Sequence, residues 1–160
     1  MEKMEENRED LLTSELDPYL QHNDASRGQR FLNFMIDNVL MRLTLTYLTG
    51  YAVGITLGSF FPEFTRSLVN NNYYGLLALS YIVVIFNYII YYTLCEKLFR
   101  GQTLGKLITG TRAIRDDGSD LTLRDAFLRS VSRLVPFEPL SAFDVPWHDA
   151  WTHTRVVKTR

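Results

Sequence analysis

Two long stretches of this chain carry no charge. Leu43 to Phe61 is nineteen residues without Asp, Glu, Lys or Arg, and Tyr73 to Cys95 is twenty-three, of which nineteen are apolar. Uncharged runs of about 18 or more residues are long enough to cross a bilayer. The pattern predicts a helix that starts near Arg27 to Arg30 and is ended by Pro62, and a second over Tyr73 to Cys95. The spans then lie at about 31–61 and 73–95. Thirty-one residues at ~1.5 Å rise reach ~46 Å, more than a ~30 Å hydrocarbon core. The first helix therefore tilts, or its first turns lie among the headgroups. Tyr73 and Tyr74 open the second span, and Tyr91 and Tyr92 close it. Rings with one polar end suit the two membrane–water interfaces.

Polar segments surround this pair. Residues 1–26 form an acidic polar tail in which Met1 to Leu16 could be a short helix, stopped by Asp17-Pro18. Pro62 to Asn72 is a polar connector. After the second span, Lys106 to Leu123 alternates irregularly around Asp117-Gly118, a turn dipeptide, and is read as a short β-hairpin. Thr122 and Asp125 have near capping-box spacing. They open an amphipathic helix with Ala126, Phe127, Val131 and Leu134 on one face and Arg124, Arg129 and Arg133 on others, ended by Pro136. Such a helix lies on the inner leaflet with its arginines at anionic headgroups, or packs its apolar face on the spans. Arg155-Val156-Val157 reads as a closing strand, pairing with Arg112-Ala113-Ile114. The predicted class is an all-α membrane protein: residues 1–26 a tail, 27–96 a two-span transmembrane helical hairpin, and 97–160 a small cytoplasmic β-hairpin, amphipathic helix and C-terminal strand.

Charge sets the orientation. The first thirty residues carry four bases, the connector one (Arg66), and Glu96 to Arg160 eleven. The positive-inside bias places both termini in the cytoplasm and the connector outside. No secretory signal is visible in the acidic first thirty residues. The overall net charge of −1 gives no reason to expect nucleic acid as a partner.

Candidate chemistry is sparse. The single Cys95 excludes an internal disulfide framework or a cysteine metal site. His148 and His153, five apart, are wrong for one helix face and lack a third ligand. Gly101-Gln102-Thr103-Leu104-Gly105-Lys106 has three residues between its glycines instead of four, and Leu107 where a phosphate loop needs Ser or Thr. Its glycines instead shape a turn below the membrane. No nucleophile triad is recognisable. The reading is non-enzymatic, with no cofactor and no metal.

Three patterns remain. Arg30, Asn33 and Asp37 share a helix face at spacings of three and four, continued by Thr44 and Tyr51. Ionisable groups near a span face protein or a water-filled cavity. Asp37 is thus a cation or proton site, with Arg30 or another base as partner, or one half of an interfacial salt bridge. Gly50, Gly54 and Gly58 line another face, extended by Arg42 and Thr46, where a second backbone can approach closely. The contact is the second span or another copy. Asn87, deep in the second span, can hydrogen-bond across to the first.

Together these elements resemble the RDD family of membrane proteins over about residues 27–158. The resemblance rests on Arg30 entering the first span, Asp37 seven residues on, the 101–106 segment, the Asp117-Gly118 turn, and His148-Asp149 through Val157. The family is named for one arginine and two aspartates. These carry over to Arg30, Asp37 and Asp149, with Asp117 competing for the last place. The resemblance implies small-solute or cation/proton transport. Two spans cannot enclose a pathway, so a transporter would be an oligomer or part of a complex in the cell (inner) membrane. The alternative is a scaffold or assembly factor that binds another membrane protein through the first span. Leu104 stands where the family usually has proline, Arg42 intrudes into the first helix, and the stretch after Arg133 is short, with Pro136, Pro139 and Pro146.

Overall fold

The computed structural model describes residues 23–136 and 146–159. The expected tail helix at Met1 to Leu16 lies outside them, as does Pro139. The first helix begins at Ser26, whose hydroxyl accepts the Gln29 N–H while the Gln29 side chain accepts the Ser26 N–H. This reciprocal cap satisfies donors the first turn would leave orphaned. Helix α1 is Arg27–Leu40, followed by a π-helical segment at Met41–Thr46 and helix α2 at Tyr47–Phe60. The expected single helix is thus continuous but wound differently at its middle. The wider turns of the π segment rotate the faces of α2 relative to those of α1. Asn33 and Asp37 face inward on α1, yet Thr44 and Tyr51 are exposed, so the polar face does not continue into α2 as expected.

The connector is helical rather than a loop. Pro62 occupies the first helical position of α3, Pro62–Asn71, where its missing N–H costs nothing. Helix α4 is Tyr73–Leu98, with Asn72 capping the Gly75 N–H. At 26 residues α4 is long and apolar enough to cross a membrane, and it meets that test alone among the described residues. The π segment divides the first helix, and α2 by itself has 14 residues, ~21 Å.

Beyond α4 lie α5 (Leu104–Thr109), strand β1 (Thr111–Arg115), α6 (Leu123–Ser132), α7 (Trp147–Thr152) and strand β2 (Thr154–Lys158). The expected local hairpin does not form. Gly118 takes a positive φ of 81° and closes a turn onto the Arg115 carbonyl, but the chain then leaves β1 for the Thr122–Asp125 capping box of α6. The partner of β1 is β2, antiparallel, with Arg112 opposite Val157, Ala113 opposite Val156 and Ile114 opposite Arg155. That is the pairing expected from the sequence. The free edge of β2 is taken by the residues before α1: the Ala25 N–H reaches the Val156 carbonyl and the Lys158 N–H reaches that of Asn23. Ala25, Ala113, Leu121 and Val156 form the small apolar core under this sheet. The protein is therefore mostly helical with one two-stranded sheet among the described residues.

Candidate functional site

The polar side chains gather where α1, the end of α4, α5, α6 and α7 meet. Asp37 is buried, and both carboxylate oxygens are occupied. Oδ1 accepts the Tyr91 hydroxyl at 2.7 Å and the Gly105 N–H at 2.8 Å, and Oδ2 accepts the Thr103 hydroxyl at 2.6 Å. Thr103 is the N-cap of α5, and the Gly105 N–H is one of the donors a helix start leaves free. The 101–106 segment thus presents the start of α5 to a carboxylate. Its glycines are steric. A Cβ on Gly105 would lie 2.5 Å from the Asn33 carbonyl oxygen, and one on Gly101, at φ 85°, would lie 1.9 Å from that of Ala113. Asn33 completes the joint. It donates to the Thr111 hydroxyl at 2.9 Å and accepts from that of Thr109. Among the described residues no base lies within salt-bridge distance of Asp37, so Arg30 is not its partner.

Arg30 reaches Asp149 at 3.0 Å, 119 positions later, and also donates to the Ala25 carbonyl. Asp149, not Asp117, is thus the aspartate joined to this arginine. Asp117 is exposed, and its carboxyl is held below its ordinary value by the hydroxyl and N–H of Ser119 within the turn. The other oxygen of Asp149 lies 2.5 Å from Arg129. Arg129 also contacts Glu96 at 2.9 Å and the Thr154 hydroxyl. Glu96 further takes Lys106 at 2.7 Å and Arg133 at 2.8 Å. The Arg133 guanidinium sits 4.5 Å over the Tyr92 ring. Thr93 donates to Ser130 at 3.0 Å beside it. One chain of ion pairs therefore runs from Arg30 through Asp149, Arg129 and Glu96 to Lys106 and Arg133.

The expectation that Arg124, Arg129 and Arg133 all meet headgroups does not hold. Arg129 and Arg133 turn inward, and Arg124 alone of the three is exposed. A buried guanidinium is tolerated only with a carboxylate, and Glu96 supplies it. The cluster holds four bases and two carboxylates. The Arg129 Nη2 and Arg133 Nη1 atoms, both buried, have no hydrogen-bond partner among the described residues. Burial raises the Asp149 carboxyl, but Arg129, His148 and Arg30 outweigh it and hold it at about 2. Burial pushes the Lys106 ammonium down to about 8, with Glu96 opposing and Arg129 and Arg133 adding to the fall. Arg133 is raised: burial alone would lower it, and Glu96 more than compensates.

The membrane-type contacts are thin. Asn87 donates to the Thr49 hydroxyl at 2.6 Å, the expected bridge between the two long helices. Helix α2 has no buried residue, and a Cβ on Gly50, Gly54 or Gly58 would meet nothing within 4 Å. The glycine face is therefore not covered by α4.

Periodicity and motif spacing do not single out Glu96, Lys106, Thr103 or Tyr91 as members of a site. A signal exists for Glu96: a single acid directly after twenty-three uncharged residues. Arg129 and Arg133, four apart, share a helix face with Ala126 and Ser130, a small and polar surface suited to burial.

A family model, the RDD family, matches residues 25–154. No curated protein and no solved structure matches the chain.

Proposed function

The chain belongs to the RDD family, a family of membrane proteins, and from that premise we propose that it is a membrane-embedded assembly subunit. In this reading α1–α2 and α4 cross the cell (inner) membrane side by side. Helix α3 lies outside, and both termini lie in the cytoplasm. The face of α2 bearing Gly50, Gly54 and Gly58 receives a helix of a second copy or of another membrane protein. Arg124 meets anionic headgroups. The observation that carries the reading is that bare glycine face. It has no neighbour among the described residues, whereas the polar residues at the other end of the helix pair are closed on one another. Asp37, with both oxygens occupied, serves as a fastener between α1 and α5.

The test is Gly54→Leu. Its new side chain enters open space within the monomer, so the chain itself keeps its fold. The expected result is loss of the oligomer or of co-purifying membrane partners in mild detergent. An unchanged subunit count and partner set removes the glycine face as an interface. Small-solute or cation/proton transport is the competing reading, and a buried carboxylate with no base beside it is the observation in its favour. Asp37→Asn in proteoliposomes separates the two. Loss of cation or proton flux, with the oligomer intact, would replace the assembly reading by transport.

A further inference from the structure

The outward sides of the helices around the ion-pair cluster are mainly apolar, with Arg124 the one arginine exposed on that of α6, long enough to lift its guanidinium to the headgroups. On α6, Ala126, Arg129, Ser130 and Ser132 are buried, while Leu123, Phe127, Leu128 and Val131 are exposed, as is Leu134 just past its end. A helix docked on a protein in water has the reverse arrangement. Helix α5 repeats it: Gly105 and Lys106 are buried, and Leu104, Leu107 and Ile108 are exposed. So does α1, with Asn33 and Asp37 inside and Phe31, Leu32, Met35 and Val39 outside.

These helices pack through their polar faces, α1 on α5 and α6 on α4. Elements joined by their polar sides leave their apolar sides pointing apart. A single partner helix would cover one of them and leave the others in water. A fluid apolar solvent covers all of them at once. The last turns of α4 expose Leu94 and Leu98 in the same stretch that holds α6 through Thr93 and Glu96. The apolar surface of α4 is thus carried on into α6. Trp147 and Trp151, stacked at 5.9 Å, are exposed on the outside of α7, whose Asp149 points inward. Indole rings of this kind settle at membrane–water interfaces.

We propose that α5 and α6 sit with their outward faces in the acyl-chain region of the leaflet from which α4 emerges, without crossing it. The charged cluster then lies below the membrane surface, sealed from water by lipid, and Trp147 and Trp151 mark the interface. The proposal rests on α4 being a span.

The experiment uses the full chain with Trp147→Phe and Trp151→Phe, which removes both native tryptophans. One version adds Phe127→Trp on α6. The other adds Tyr81→Trp, exposed in the middle of α4. Each is reconstituted in vesicles of phosphatidylcholine brominated either near the glycerol or near the chain end, and titrated with iodide. An interfacial helix sits ~5–10 Å into the headgroup–acyl boundary, so Phe127→Trp emission falls about twofold or more with the shallow bromines and little with iodide. Tyr81→Trp is quenched by the deep bromines. If Tyr81→Trp ignores the deep bromines, the span fails, and this proposal with it. If it responds but Phe127→Trp is quenched by iodide, α6 lies in water and only the present proposal is overturned. A Phe127→Trp shielded from both quenchers means that protein covers the face, which also overturns it. Quenching of Phe127→Trp chiefly by the deep bromines overturns the shallow placement.

Discussion

Glu96→Gln is the most informative single change in this protein. The carboxylate is fully buried and accepts from Arg129, Lys106 and Arg133 at 2.9, 2.7 and 2.8 Å. Glutamine keeps the shape but removes the charge, and its amide nitrogen must face one of three cations. Breaking one buried pair by deleting a partner costs about 3–5 kcal/mol, because a charge is left uncompensated. Here three bases lose their shared counter-ion, and the cluster is left with four bases against Asp149 alone. The expected loss is therefore at the top of that range, about 5 kcal/mol. Thermal unfolding in detergent, followed by tryptophan fluorescence, is the assay. Both tryptophans lie on α7, which holds Asp149, so the signal reports on the cluster directly. Adding Lys106→Met to Glu96→Gln removes one uncompensated cation and recovers part of the loss. Arg66→Ala is the control: its pair with Glu63 is exposed on both sides, worth about 0–1 kcal/mol. If Glu96→Gln costs no more than that control, the cluster does not hold the fold together and the ion-pair account is refuted.

Four further outcomes are expected. Asp149 titrates at about 2 in the folded chain against an ordinary 3.8, so the folded state binds fewer protons. Its contribution, roughly 2 kcal/mol, is complete above about pH 4 and disappears as pH falls through about 2. An acid titration of unfolding should show it, and Asp149→Asn should flatten that slope. Lys106 is the opposite charge type with the same sign of shift. Its folded value of about 8 lies below the ordinary 10.5, so stability from this group rises between the two and falls away as pH drops through 8. The stability of wild type relative to Lys106→Met should therefore increase between about pH 8 and pH 10, by hydrogen exchange or melting. Gly105→Ala drives a Cβ to 2.5 Å from the Asn33 carbonyl and should cost about 1–3 kcal/mol in a melting experiment. Gly54→Ala, with nothing near, should leave the monomer's melting unchanged.

Local signals are legible in the sequence. The tyrosine-bounded run is α4, Thr122 and Asp125 cap α6, and the strand with the valines at 156–157 pairs with that of Arg112 and Ala113 as expected. Arg30, Asn33 and Asp37 do share a face. Pairing at a distance is not legible. Glu96 and Arg129 are 33 positions apart, Arg30 and Asp149 119, and no periodicity states which acid a base will find. The arginines of α6 depart from expectation for a physical reason: Glu96 and Asp149 lie buried beside the helix, and each needs a cation that Arg129 and Arg133 supply. Asp117-Gly118 suggests a hairpin because a turn is local, whereas the partner of β1 comes from the other side of α6 and α7.

The distance between Arg30 and Asp149 also fixes an order of events during synthesis. At about 5–20 residues per second, the 119 positions between them take roughly ten seconds to make. For that interval the first helix exists with its arginine unmatched, while Asp37 meets Thr103 and Gly105 sooner, 66 and 68 positions on. A ribosome that stalls before Asp149 leaves a nascent chain whose helix pair carries naked charge on the very face it later hides.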